Sequence, residues 1–268
     1  MKTLPLVAVL LLVVAACDKA VDAPLGRPSH DAAAGTAAGA WPNEPAGFTV
    51  MSDEPFNALT ENGWYAAERQ TTNGSGLSVT ADLTAPVSPA NVLTFTYATG
   101  YQAGSEPGGE YYDPATPVRE TYVGFWWKPS NPWQFHPSGV NKIAFLFSSV
   151  DNIYIQMYND GSGPTIQVVT QFFGDNRRLA PNVTATPVVL GMWHRIEWYV
   201  QYSTTGTSRD GVVQWWLDGV LQGVYTDLQT SGDAGFIEYI IAPTWGGIGG
   251  TKTETDYYWY DQIHISRR

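Results

Sequence analysis

From Gly47 onward the chain is a succession of strand-length apolar runs cut by turn residues, and this pattern constrains the fold more than any other feature. The runs fall at Leu77–Ala81, Val92–Tyr97, Val118–Lys128, Lys142–Phe147, Ile153–Tyr158, Thr165–Phe173, Trp193–Tyr202, Gly211–Leu217, Leu221–Tyr225, Ile237–Ile241 and Tyr257–Ser266. They are short, rich in β-branched and aromatic residues, and separated by clusters of turn residues, which marks strands and not helices. Three of the breaks are Asn159-Asp160-Gly161-Ser162-Gly163, Thr204-Thr205-Gly206 and Asp218-Gly219. The last is a two-residue type I′ hairpin signal. No helical periodicity extends beyond two turns, and no repeat of fixed period occurs. Aromatics reach 13% while charged residues make up only 15%, with 27 Gly and 18 Pro, as many short strands joined by tight turns require. Residues 46–268 suffice for one large all-β sandwich or barrel with a sizeable core.

The N-terminus reads as an address. Met1-Lys2-Thr3 gives a positive start, and Leu4 to Val14 is an apolar run broken only by Pro5. This run is too short for a membrane-spanning helix and has the layout of a secretory signal. It closes with Val14-Ala15-Ala16-Cys17, which resembles the lipobox of bacterial lipoproteins, and Cys17 is the chain's one cysteine. The resemblance implies a signal peptide over 1–17, lipidation of Cys17, and an exported protein anchored to a bacterial membrane, facing the periplasm or the cell surface. Residues 18–45 are rich in Ala, Gly, Pro and Asp and lack core periodicity, so they are expected to form a flexible linker. With one cysteine no intramolecular disulfide can form, and the fold must stand on its core. The formal net charge of −11 disfavours nucleic acid as a partner. It also disfavours polyanionic glycans unless a local basic cleft overrides the field. The domain is expected to be a monomer.

Two segments carry a second resemblance. "WHRIEWYVQYS" followed by "DGVVQWWLDGVLQGVYTDL", and the closing "WYDQIHIS", resemble the back-sheet hairpin and final strand of concanavalin A-like lectin and glucanase jelly rolls. "TVMSDEPFN" from Thr49 is loosely similar to their opening strand. The resemblance implies a jelly-roll β-sandwich of two antiparallel sheets, with ligand sites on the concave sheet. That superfamily holds lectins, structural modules, glucanases and polysaccharide lyases, so the fold alone does not choose among them.

Strand alternation proposes which side chains face outward. Tyr154, Gln156 and Tyr158 lie opposite Ile153, Ile155 and Met157, while Gln167, Val169 and Gln171 lie opposite Ile166 and Val168. Rows of Tyr and Gln suit sugars, because rings stack on pyranose C–H faces and amides bond hydroxyls. The same residues also serve as ordinary solvent-facing strand positions. The segment from Asn131 to Ile143 adds a loop with Trp133 and His136 as candidate ligand contacts, and with Asn141 and Lys142 as groups to orient or neutralise a uronate. Trp245, in a Gly-rich turn, is a further candidate contact.

A glucanase needs paired carboxylates flanking the scissile bond, and no E-x-D-x-x-E-like strand is present. Glu106, Glu110 and Asp113 sit in a Gly/Pro-rich loop with the wrong spacing. A lyase needs a group that neutralises the uronate and a Tyr or His that handles the C5 proton. Arg119, His136 and Tyr158 would be a divergent set of that kind. Gln262-Ile263-His264 resembles a lyase triplet but lies in the closing strand, so it is set aside. The resemblance also implies a structural Ca²⁺ at Asp261, with Asp53 supplying further oxygens. The first reading is polysaccharide binding in a groove lined by Tyr154, Gln156, Tyr158 and the Trp133/His136 loop. The alternative is a uronate-directed polysaccharide lyase in the same groove, and a third reading is a surface adhesion or structural module.

Overall fold

The computed structural model describes residues 41–67 and 72–268. Cys17 and most of the expected linker lie outside them. The described chain forms two antiparallel sheets facing each other, a jelly-roll sandwich as expected.

The first sheet has eight strands. Strands β13 (Val220–Leu228), β12 (Gly211–Leu217), β11 (His194–Gln201), β6 (Glu120–Pro129), β15 (Asp256–Arg267), β4 (Val92–Tyr97) and β3 (Gly76–Thr80) lie in that order, and β1 (Thr49–Glu54) pairs with β15. Strand β15 ties the sheet together. It pairs with β6 along its length, with β4 over Asp256–Tyr260, and with β1 over Ile263–Arg267. The β12–β13 turn is built as its sequence demands, with φ of 53° at Asp218 and 82° at Gly219.

The second sheet has seven strands in the order β10 (Asp175–Leu179), β9 (Thr165–Phe172), β8 (Asn152–Tyr158), β7 (Val140–Phe147), β14 (Glu238–Ile241), β5 (Gly109–Tyr112) and β2 (Trp64–Ala67). Three of these, β2, β5 and β10, were not among the sequence-predicted strands. Strand β5 falls inside the segment read as a Gly/Pro-rich loop. Its four residues alternate nonetheless, with Glu110 and Tyr112 turned inward and Tyr111 outward.

The core between the sheets is unusually aromatic. Trp127, Trp198, Trp215, Tyr97, Tyr258 and Tyr260 are fully buried, and such side chains contribute about 1.5–3 kcal/mol or more each by leaving water. Several use their polar tips to register one sheet against the other. The Tyr260 hydroxyl donates to the Ile143 carbonyl (2.8 Å), Tyr239 donates to Thr121 (2.9 Å), Tyr112 to the Met51 carbonyl (3.1 Å), and the Trp215 indole to the Ile166 carbonyl (3.1 Å). Buried rings with satisfied tips add direction to an otherwise non-directional core.

Residues 41–45 were assigned to the linker, but the structure packs them on the outer face of the eight-stranded sheet. Trp41 stacks on His264 (5.6 Å, 24°), and a side chain at Gly124 would collide with its ring. The Asn43 amide bonds Glu197 (3.1 Å), and Glu44 accepts from His264 (3.1 Å). Glu197 is buried and also holds Tyr122 and Arg195. A buried carboxylate needs such partners, and Asn43 is one of them, so residues 41–44 pack as part of the folded domain.

Candidate functional site

The outer face of the seven-stranded sheet carries a second apolar cluster, separate from the core, made of Tyr111, Phe145, Tyr154, Val169, Ile240 and Ala242 with Tyr65, Ala67 and Phe147 against it. Strand register explains it. Tyr65, Tyr111, Ile240, Phe145, Tyr154, Val169 and Arg178 are successive cross-strand partners, forming one row across β2, β5, β14, β7, β8, β9 and β10. Tyr65 and Tyr111 stack at 5.3 Å and 17°, and Phe145 meets Tyr154 at 5.4 Å. The row is a strip of ring faces ending in a guanidinium.

Beside this row runs a polar one. Lys142, Gln156 and Gln167 are cross-strand partners on β7, β8 and β9. Lys142 faces outward because of a bulge between Lys142 and Ala144. The extra residue, Ile143, reverses the parity of β7, so that Lys142 and Phe145 share a face while Ile143 and Ala144 stay buried. The Lys142 ammonium lies 5.0 Å from the Tyr154 ring centre and 5.7 Å from that of Phe145. Burial raises the pKa of the Tyr154 phenol above its ordinary value. Gln156 is 0% exposed, yet neither its amide oxygen nor its nitrogen has a partner, and the Gln167 oxygen is likewise unmatched. The Gln167 nitrogen donates to Thr165 (3.4 Å). An unmatched buried amide costs about 1–3 kcal/mol, so Gln156, beside the unmatched Gln167 oxygen on an outer face, marks a place where a ligand's polar groups complete the bonding. Tyr158 lies further along β8 with Arg178 4.2 Å over its ring, and Gln171 is exposed opposite Asn152.

The face therefore brings together Lys142, Tyr154, Gln156, Tyr158, Gln167 and Gln171 from the expected set. The other candidates lie elsewhere. Trp133 is buried and stacks on Tyr258 (4.0 Å, 7°), and its indole donates to Asn141, which points inward. His136 is buried, with its ring nitrogens spent on the Ser138 hydroxyl (2.7 Å) and the Gly249 carbonyl (2.5 Å). Trp245 packs edge-on against His136 and donates to the Gln134 carbonyl (2.8 Å). One residue fastens this whole region and was missed from the sequence. Lys252 is buried and ion-paired with Asp256, donates to the Gln134 carbonyl, and has its ammonium 4.0 Å from the Trp133 ring and 4.7 Å from that of Trp245. Burial pushes its pKa down to about 8 although Asp256 pulls the other way. Arg119 spans the Asp233 and Ser203 carbonyls and lies over Tyr202. Arg119, His136 and Tyr158 therefore do not form a common site.

The proposed calcium ligands do not fit a cation either. Both oxygens of Asp261 accept from the backbone amides of Val87 and Ser88 (2.6 and 3.0 Å), and Asp53 accepts from Gln262. Among the described residues no three His, Cys, Asp or Glu side chains gather where a metal could be held. Across β7, β8 and β9 the outer face has no carboxylate, and Glu110 points into the core, so the paired acids of a glycoside hydrolase are missing from those strands.

No protein-family model and no curated protein sequence matches the chain. Solved structures do. The chain is similar to an endo-β-1,4-glucuronan lyase from the fungus Trichoderma reesei, with a TM-score of 0.59 at 17% identity, covering 82% of this chain and 96% of that one. It is similar to the alginate lyase vAL-1 from Chlorella virus (TM-score 0.55, 8% identity, 77% and 93% covered). It also resembles a variant of the alginate lyase Aly36B in complex with an alginate tetrasaccharide (TM-score 0.52, 14% identity, 66% and 81% covered). These structural neighbours are polysaccharide lyases, and at such identities the likeness is one of fold.

Proposed function

We propose that this domain is a polysaccharide lyase that cleaves a uronate-containing glycan by β-elimination on the outer face of the seven-stranded sheet, exported and held to a membrane through a lipidated Cys17. One observation carries the reading: Lys142 and Tyr154 lie against each other beside the partnerless amide of Gln156 and the unmatched oxygen of Gln167, on a floor of rings. In β-elimination the C5–H and C4–O4 bonds break, a C4=C5 double bond forms, and the proton on C5 is acidic only if the adjacent carboxylate is neutralised. The unmatched N–H of the Gln156 amide donates to the carboxylate, and the Gln167 oxygen accepts from a neighbouring sugar hydroxyl. Lys142 is the proton acceptor at C5, and Tyr154, kept protonated by its burial, donates to the departing O4. The row from Tyr65 to Val169 stacks the flanking sugars. The uronate-cleaving activities named for the structural neighbours support this reading over binding alone.

The purified chain mixed with polyglucuronate and alginate is expected to raise ultraviolet absorbance as unsaturated uronate forms. Saturable retention on either glycan with no absorbance change would make the face a binding groove. Neither effect on any uronate glycan would leave the adhesion or structural module.

A further inference from the structure

The two outer faces of the sandwich are both rich in rings, but the second is dressed differently. On the outer face of the eight-stranded sheet, Trp126, Trp193, Trp216 and Trp259 are half-exposed. Trp126 pairs with Arg195 and Trp259 with Lys128 in the strand register. The Lys128 ammonium lies 4.9 Å from the Trp193 ring and 4.6 Å from that of Trp259, Tyr257 stacks on Trp259 at 5.2 Å, and Arg195 lies 5.8 Å over Trp126. Bare aliphatic side chains flank these rings. Leu83 is 90% and Met192 56% exposed. They are held at this end by the bond from the Trp193 indole to Thr84 (3.2 Å) and the ion pair of Lys128 with Asp82. Exposed Trp and Tyr interleaved with Lys and Arg, beside aliphatic side chains with nothing to pack on, is the chemistry of a bilayer interface. Sugar stacking would account for the rings but not for Leu83 and Met192.

The path of the chain points the same way. Trp41, where the described residues begin, is seated on Gly124, two residues before Trp126 on the same face of β6. The stretch that leads back to Cys17 therefore joins the domain on this face.

We propose that the Trp126–Trp193–Trp216–Trp259 end of the eight-stranded sheet rests in the headgroup region of a lipid bilayer, which turns the Lys142–Tyr154 face toward the aqueous side; the orientation rests on lipidation of Cys17. Lys128 and Arg195 are already paired with Asp82 and Glu197, and the protein carries a formal charge of −11. Ring and aliphatic contact, not attraction to anionic lipid, supplies the binding, so neutral lipid suffices.

The test uses the full lipid-anchored chain in phosphatidylcholine vesicles. Lipidated Cys17 leaves no free thiol, so Leu83→Cys and Phe173→Cys each introduce a single labelling site, at a residue 90% exposed beside the tryptophans and at one 84% exposed beyond the end of β9. Lipid-borne nitroxide is expected to quench a fluorophore at 83 several-fold more than one at 173. Equal quenching, or stronger quenching at 173, with the chain still floating on vesicles, overturns the orientation alone. A chain that does not float with vesicles overturns the anchor on which the orientation rests. A water-exposed label at 83 together with loss of glycan retention in Trp259→Ala would make the face a sugar platform and overturn the proposal.

Discussion

The two outer faces are built from the same kinds of residue and treat their most deeply buried polar side chain differently. On the eight-stranded sheet the buried polar group at the centre is matched by its own chain, since Glu197 is taken by Asn43, Tyr122 and Arg195 beneath the cover of Trp41. On the seven-stranded sheet Gln156 is as deeply buried and has no partner. Folding can satisfy a buried polar group, as the first face shows. The unmatched amide on the opposite face is a cost that a ligand's polar groups would recover.

The largest expected effect separates chemistry from packing. Lys142→Ala should lower the elimination rate by roughly 10²–10⁴-fold with little change in melting temperature, because the side chain is not part of the core. Lys142→Arg, which keeps the charge but replaces the amine with a group that cannot accept the proton, should be nearly as slow. Retained activity in the arginine variant, measured by ultraviolet absorbance, would move Lys142 from proton acceptor to charge neutraliser. On the other face, Trp41→Ala should cost about 3 kcal/mol in denaturant unfolding and leave turnover unchanged. Lost turnover without lost stability would break the division between the faces.

The third test concerns an acid that belongs to neither face. Glu110 lies between the sheets with both oxygens unpartnered, and burial, with Glu54 nearby, pushes its pKa up to about 8; burial likewise pushes Glu54 up to about 7. Both values stand above the ordinary carboxylate range, so the folded state holds protons that the unfolded chain releases. Stability should accordingly fall as pH rises from about 4.5 toward 8, by up to roughly 1.4 kcal/mol per pH unit for each group. Glu110→Gln should flatten that slope and raise the melting temperature at pH 8 but not at pH 5. An unchanged pH profile would mean that Glu110 finds compensation elsewhere. Smaller still, Tyr111→Ala should raise KM about tenfold by removing a stacking ring, a loss of about 1–1.5 kcal/mol, with kcat retained. Gln156→Leu should stabilise the domain by about 1 kcal/mol while weakening glycan affinity. A variant that gains stability and loses ligand would be the clearest sign that the amide is kept for binding.

Period-two alternation placed Tyr154, Gln156, Tyr158 and Gln167 correctly, because β8 and β9 run without irregularity and their apolar positions leave one choice of face. The same rule applied to β7 would put Lys142 on the face of Ala144 and Leu146, and only the bulge at Ile143 turns it outward. A bulge leaves little trace in a single sequence. Tyr111 was hidden for another reason, since Gly108, Gly109 and Pro107 make its surroundings read as a loop. Trp133, His136 and Trp245 failed in the opposite direction. Unusual residues in a loop suggested exposure, but the buried ion pair of Lys252 with Asp256, far along the chain, draws them inward. Long-range pairing of that kind is not written in local pattern. The packing of Trp41 is not legible in the sequence because Ala, Gly and Pro around it mask one ring that fits on a glycine.

The triple pairing of β15 also sets a clock. Thr49 finds its partner in Arg267, and β4 and β6 flank the same strand, so the eight-stranded sheet cannot close until the chain has been made almost to its last described residue. Order of synthesis and order of assembly are thus opposed. Strand β1, whose strand partner is β15, waits for a segment more than two hundred positions later, and contacts of such sequence separation form slowly. In the exported protein proposed above, that delay would keep the chain translocatable during passage and defer assembly of the sheet to the far side.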